Sequence, residues 1–482
     1  MCHGAKLSLT RRKFLAGTGG ALAGLSLSSV ACGPEPVNPR PNIVLVVLDT
    51  VRQDHLSCYG YNYQTTPFLG QLVKSSTLYS NAYSTSRWTV PAHASMFSGL
   101  YPISHGVHWG GTTPEKIKAK VLAEILVESG YRTFGFSENT ALGVGGGWAR
   151  GFEKYDYLEV LEDDPDAALE FVGQITADKR QRPFFLFLNL FAPHSPYNSS
   201  RQFFGTFLSD SRYEKDVYVH WKQVIANDSG SFDEQWLTHL KEHYNAELLY
   251  VDSVLDRLKR KLQKGNLWDS TLLVVTSDHG ECFGEHGLLQ HWMGLYEQLV
   301  KIPLIIRYPA CFPAGVIIDS PVSILDIFPT ILEVTGIDPE NFPRQAKSLL
   351  TSELSDQRVL MAEHYPNPQL FKAPGSATPE LKKRYNSPLA QKYNRRWRMV
   401  RQGPMKLVFA EDYPSELYDL DKDPAEVHNL AEEPQMQQTR KELVHQLDEC
   451  VRACLESHKP PERTSDALPP EVKDTMKALG YL

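Results

Sequence analysis

The chemistry legible in this sequence gathers at Asp49, Thr89, His194, Asp278, His279 and His291. Asp49 closes the apolar run NIVLVVL, from Asn42 to Leu48. Asp278 and His279 follow the run TLLVVT, from Thr271 to Thr276, after Ser277 alone. Ligands of open α/β sheets bind beyond the carboxyl ends of the strands. Two carboxylates and an imidazole delivered there make a donor set for a divalent cation. Thr89 lies in SRWTVPAHASMFSG, from Ser86 to Gly99, just before Pro91 and a run of helical character. Pro favours the first helical turn and Thr is a good cap, so Thr89 is expected just outside a helix, its hydroxyl beside the N–H groups of the positive end. A hydroxyl beside a bound cation ionises near neutral pH and becomes a nucleophile, and Thr89 can also offer the cation an oxygen.

These side chains need a frame. The unbroken apolar runs read as strands buried on both faces of a parallel sheet. Tyr131–Ser137, Pro183–Phe191 and Ile302–Arg307 read the same way, and Ser76–Tyr83 is extended. Gln64–Lys74, Lys118–Ser129, Glu234–Lys264 and Ser323–Thr335 carry helical spacing. The alternation predicts an α/β fold, a large and mostly parallel sheet flanked by helices, over residues 42–347. From 348 to 482 the character changes. A hairpin of Trp397–Val400 and Lys406–Phe409, a strand within Pro414–Asp423 and an amphipathic helix Thr439–Leu455 predict a smaller C-terminal α+β subdomain. The polar stretches Asn198–Asp233 and Ser352–Arg396 are expected to shape the pocket for the leaving group.

The chain has 482 residues, 42% hydrophobic and 22% charged, with a formal net charge of -7. That balance is ordinary for a globular protein and gives no electrostatic reason to bind nucleic acid. Residues 1–31 read as a twin-arginine signal peptide: Thr10-Arg11-Arg12-Lys13-Phe14-Leu15 precedes an uncharged Gly/Ala-rich run too short to span a membrane comfortably. Residues 32–41 form a Pro-rich linker after Cys32, a candidate for lipidation, although Ser29-Val30-Ala31 also suits ordinary signal cleavage. The expectation is export from a bacterial cytoplasm by the twin-arginine route to the periplasm or cell surface, with the membrane reached only through a lipid on Cys32. The body keeps Cys58, Cys282, Cys311, Cys450 and Cys454, an odd number with no tight spacing and so no disulfide framework.

Four segments, LDTVRQDHLSCYGY, TVPAHASMFSGLYPISHG, SDHGECFGEHG and SELYDLDKDPAEVHNLA, resemble the sulfatase family of the alkaline phosphatase superfamily, in the family's order. The resemblance implies a metal-dependent ester hydrolase with a large mixed sheet and a smaller C-terminal sheet. It implies metal-ligand roles for Asp49, Asp278 and His279. It places His194, in PHSPY, near the leaving-group oxygen, and His291 more loosely near substrate. The departures are equally specific. The family's Cys-x-Pro-x-Arg, whose first residue becomes formylglycine, is here Thr89-Val90-Pro91-Ala92-His93. Threonine does not give that aldehyde hydrate. The second Asp of the usual Asp-Asp pair is Thr50, and the Gly-Lys-Trp-His segment is replaced by Phe136-Ser137-Glu138-Asn139.

The resulting assignment is one divalent cation, manganese or zinc by donor type with calcium also admitted, on Asp49, Asp278, His279 and Thr89. Thr89 attacks, His93 and the helix N-terminus stabilise developing charge, and His194 or His291 protonates the leaving group. Arg52, Asp54 and Asn139 are weaker candidates, either for supporting the site's side chains or for substrate contact. A phospho-Thr89 intermediate is hydrolysed by ordinary attack of water, so phosphate or phosphonate esters of a small molecule, glycan or lipid are slightly favoured. Sulfuric ester hydrolysis, phosphotransfer to an acceptor hydroxyl, and a non-catalytic binding protein on this scaffold are the alternatives.

Overall fold

The computed structural model describes residues 40–461, apart from stretches of which the main ones are 159–165, 177–181, 198–200, 210–231, 351–353 and most of 368–386. The expected signal peptide, the lipidation candidate Cys32 and most of the polar insertion expected after Asn198 therefore lie outside the described residues. In chain order the strands are β1 (Asn42–Leu48), β2 (Thr77–Tyr83), β3 (Arg132–Ser137), β4 (Lys154–Tyr157), β5 (Phe184–Leu190), β6 (Thr271–Ser277), β7 (Cys282–Phe283), β8 (Leu289–Gln290), β9 (Lys301–Arg307), β10 (Val316–Ile318) and β11 (Val322–Ser323). The last four are β12 (Leu360–His364), β13 (Trp397–Gln402), β14 (Met405–Ala410) and β15 (Tyr413–Asp419).

The large sheet has the order β10-β2-β9-β6-β1-β5-β3-β4, with β11 beside β2. Its centre is β1, parallel to both β5 and β6. Val44, Val46 and Leu48 enter one core, and Ile43, Leu45 and Val47 enter the other. Both faces of the strand are dry, which is why its sequence is continuously apolar instead of alternating. The helix Glu234–Lys264 covers the first face through Tyr244, Leu248, Val251 and Leu255. The helices Thr89–Ser98 and Ile327–Val334 cover the second through Met96, Phe97, Phe328 and Ile331. The sheet is mostly parallel, with β9 antiparallel to β6 and β2. Asp233 starts the long helix where expected, its side chain accepting from the N–H of Trp236. The helix expected from Lys118 begins only at Leu122, because Glu124 folds back onto the N–H of Val121 at 3.0 Å and fixes the start there.

The small sheet runs antiparallel in the order β12-β13-β14-β15, and the helix Gln437–Ser457 packs on it through Leu443, Leu447 and Cys454. The sequence reading missed β12. It touches the large domain at Ser86, which bridges to Glu363. Beside that seam Lys406 of β14 is fully buried, its Nζ 2.9 Å from Glu297 and 2.8 Å from Glu426. The Tyr83 hydroxyl donates to the same Glu297 at 2.7 Å. The five cysteines Cys58, Cys282, Cys311, Cys450 and Cys454 are free thiols. Among the described residues no helix is long and apolar enough to cross a membrane.

Candidate metal and ester-hydrolysis site

The register of one strand pair builds the site. Leu48 stands opposite Ser277 in the β1–β6 ladder, so the residues that follow, Asp49 and Asp278, leave the sheet side by side. Thr50 turns the chain with φ of 56°, and its N–H donates to Asp278 Oδ1 at 3.2 Å. The N–H of His279 donates to the same oxygen at 2.9 Å. Asp49 Oδ2 accepts from Asn139 Nδ2 at 2.7 Å and from Asn189 Nδ2 at 3.4 Å. The other oxygens, Asp49 Oδ1 and Asp278 Oδ2, are buried without a hydrogen-bond partner. His279 donates its Nδ1–H to the carbonyl of Gly280 at 2.9 Å, which leaves the Nε2 lone pair for a ligand. One donor atom each from Asp49, Asp278 and His279 lies within 4.8 Å of the others.

Burial, and then the Asp278 charge, hold the Asp49 carboxyl well above its usual range, while burial pushes Asp278 up to about 7. Two carboxylates sharing a dry site resist ionisation unless a cation compensates them. The two orphaned oxygens and the imidazole lone pair fit a divalent cation of the hard-to-borderline kind.

Thr89 is not the cap expected. Trp88 occupies that position with extended backbone and no capping side chain, and Thr89 is the first helical residue. Its hydroxyl is drawn away from the helix end to His279 Nε2, 3.2 Å distant, at the edge of the carboxylate pair.

The charge-stabilising role expected of His93 does not suit its position. Its Nδ1–H donates to the Thr89 carbonyl at 2.9 Å, and its ring lies among Phe97, Trp148 and Phe187. Burial lowers its pKa to about 4, so it is neutral and shapes the helix that begins at Thr89. Arg52 is held by acidic partners, in keeping with the supporting role open to it. Its Nε and Nη2 bind Asp54 at 2.9 and 2.7 Å, and Nη1 binds Glu285 at 2.8 Å and the Glu281 carbonyl at 3.1 Å. It clamps the loop after β1 to the loop after β6. Asn139 is committed to Asp49, with its Oδ1 accepting from the N–H of Ala141 at 2.9 Å, so it orients that carboxylate, the supporting role among those expected of it.

His194 and His291 do meet beside the metal cluster. Their ring centroids are 5.0 Å apart, and His291 lies 4.5 Å from His279. Burial, with His291 close by, lowers His194 to about 4. Sequence reading missed Arg87 and Glu281. Arg87 is 3% exposed and donates to the His291 carbonyl and to Nδ1 of His364 on β12. It places a fixed positive charge two residues before Thr89. Glu281 is fully buried, and burial pushes its carboxyl up to about 8. The available signal for both was their spacing, two residues from Thr89 and two from His279.

A large mixed sheet with metal donors at its carboxyl edge and a small antiparallel sheet docked beside it define an ester hydrolase of the alkaline phosphatase superfamily. The chain belongs to the sulfatase family: the family model described as Sulfatase matches residues 41–337, and the one described as N-sulphoglucosamine sulphohydrolase, C-terminal, matches residues 284–453. Members of this family typically bind a divalent cation. Arylsulfatase K of Mus musculus is 26% identical over 87% of this chain and 80% of its own. Choline-sulfatase of Rhizobium meliloti is 24% identical over 82% of this chain and 83% of its own. Two solved structures share the fold at 19% identity. One, in complex with its substrate D-glucosamine-2-N,6-O-disulfate, has a TM-score of 0.69 over 88% of this chain and 100% of its own. The other, the phosphonate monoester hydrolase of Agrobacterium radiobacter, has a TM-score of 0.65 over 86% of this chain and 96% of its own.

Proposed function

We propose that this protein hydrolyses phosphate or phosphonate esters of small molecules, glycans or lipids outside the cytoplasm, with Thr89 as nucleophile. The observation that carries the reading is the Thr89 hydroxyl at 3.2 Å from His279 Nε2, at the edge of the Asp49–Asp278 pair. A divalent cation held by Asp49, Asp278, His279 and Thr89, manganese or zinc in preference to calcium, supplies Lewis acidity that favours the ionised hydroxyl and draws charge from the ester oxygens. The Thr89 alkoxide attacks phosphorus, forming the Oγ–P bond as the bond to the leaving oxygen breaks. An imidazole, His291 or His194, which burial keeps neutral until an anionic ester lies against it and favours the charged ring, gives that oxygen its proton. Water then attacks the phospho-Thr89, passes a proton back to the imidazole and releases Thr89 as the alkoxide it began as. Arg87 supports the negative charge that accumulates on the transferred group.

Sulfate esters are the second reading, favoured by the names of the sulfatases similar to this chain. The first is preferred because threonine lacks the aldehyde-hydrate route for expelling sulfate. The test compares an aryl sulfate, a phosphate monoester, a phosphodiester and a phosphonate monoester, with several divalent metals, on wild type and Thr89→Ala. The expected result is turnover of phosphoesters or phosphonates, lowered by about 10⁴-fold or more in Thr89→Ala. Preference for sulfate overturns the substrate assignment, and activity surviving in Thr89→Ala removes Thr89 from the mechanism. A new ester formed with an added alcohol marks phosphotransfer.

A further inference from the structure

Four imidazoles surround the nucleophile, and what each Nδ1 touches separates them. His93 faces the Thr89 carbonyl at 2.9 Å, His194 the Ser195 carbonyl at 2.7 Å and His279 the Gly280 carbonyl at 2.9 Å. His291 faces a carboxylate instead, Glu281 Oε1, at 2.9 Å. A backbone carbonyl fixes a tautomer. A carboxyl group fixes the tautomer as well and, once the ring takes a charge, makes the stronger, charge-assisted bond.

Glu281 is itself held on all sides. The Tyr197 hydroxyl donates to its Oε2 at 2.9 Å, and Arg52 Nη1 holds its carbonyl at 3.1 Å. The other end of His291 is pinned through its carbonyl by Arg87. The ring thus has one orientation, with Nδ1 turned to Glu281 and Nε2 on the opposite edge. Sequence spacing gives a reason for this construction: β7 and β8 form a short hairpin that returns the chain, so Glu281, just before β7, stands next to His291, just after β8.

We propose that Glu281 is a positioning residue that, with Tyr197, holds His291 so that Nε2 serves the leaving-group oxygen, which assigns the proton-donor role to His291 over His194. The proposal rests on the Thr89 reading for the reaction and on the Glu281–His291 contact for the role. Glu281 touches neither substrate nor the metal donors; it acts through the ring it orients.

The experiment uses the holoenzyme and two phosphate monoesters, 4-nitrophenyl phosphate with a good leaving group and an alkyl phosphate with a poor one. Glu281→Leu is expected to lower kcat on the alkyl ester by about 100-fold, the scale of lost general acid catalysis, and far less on the nitrophenyl ester, which leaves without a proton. Glu281→Gln, whose amide oxygen still accepts from Nδ1–H, recovers most of the loss. In a His291→Ala background Glu281→Leu has no further effect. Equal losses on both esters, or a further loss in the His291→Ala background, overturn the proposal.

A readout without turnover runs in parallel. Wild type is expected to show a far-downfield proton resonance from the Glu281–His291 hydrogen bond that His291→Ala abolishes and Glu281→Gln moves upfield, since an amide makes the weaker bond to the ring. A spectrum unchanged by Glu281→Gln overturns the proposal whether or not Glu281→Leu folds. If wild type turns over neither ester, or Thr89→Ala is as active as wild type, the Thr89 reading fails alone, and the resonance still decides the Glu281–His291 pairing.

Discussion

The protein buries two groups of charged side chains, and they are balanced in different ways. At the seam between the sheets Lys406 sits between Glu297 and Glu426, with Tyr83 donating to Glu297 and the Glu297 N–H donating to Glu426 at 2.6 Å. Burial pushes Glu426 up to about 7, so one ammonium, one carboxylate and a partly protonated carboxyl come close to neutrality. At the end of the β1–β6 pair, Asp49 and Asp278 have only neutral donors around them, and one oxygen of each is orphaned. The first group completes itself from the chain. The second lacks positive charge that the chain does not provide at that point, and this deficit marks a ligand site where the first cluster marks a joint.

Removing the cation is the strongest way to break this contrast. Chelation of the purified protein is expected to abolish turnover and to lower the melting temperature, both restored by adding back metal. Asp278→Asn gives a change of sign: less stable than wild type in metal, more stable than wild type after chelation, because one uncompensated carboxylate is gone. A lower melting temperature for Asp278→Asn under both conditions would show that the pair needs no cation.

The seam predicts the opposite behaviour. Lys406→Met leaves two buried carboxyls without their ammonium and is expected to cost about 3–5 kcal/mol in urea unfolding, with metal affinity unchanged. Replacing Glu297 and Glu426 by Gln in the same chain should recover much of that loss. The smallest effect sharpens the comparison from the site's side. Asn139→Ala frees Asp49 Oδ2 from its 2.7 Å contact and is expected to weaken metal binding by about 10–100-fold in calorimetry while stability of the chelated protein changes little.

The candidate donors were legible because Asp49 and Asp278 stand at the ends of apolar runs, with His279 next in the chain, and a strand that stops at a carboxylate announces an edge where ligands bind. That β1 and β6 are neighbours was not legible, since pairing partners over two hundred residues apart leave no local trace. Thr89 was found, but its backbone position was misjudged: capping preference is local, and the pull of His279 on its hydroxyl is tertiary. β12 was missed because LMAEH carries Glu363 and His364, both fully buried, where an alternating strand should show solvent-facing residues. Arg52 and Asn139 were drawn to the site with a supporting and a substrate role both open, because a charge or an amide in a loop does not reveal whether it faces substrate or a neighbouring side chain; the hydrogen bonds to Asp54, Glu285 and Asp49 match the supporting role.

The β1–β6 register also sets a timetable for the chain. Asp49 emerges early in synthesis, and Asp278 and His279 come only after more than half of the protein has been made. The central pair closes a loop of over two hundred residues, so its formation waits on slow, long-range contacts. A chain that stops before β6 holds one of the three clustered donors and gains nothing from metal. A cation taken up by the three donors would therefore report that β1 and β6 have paired, and would latch that long-range contact shut.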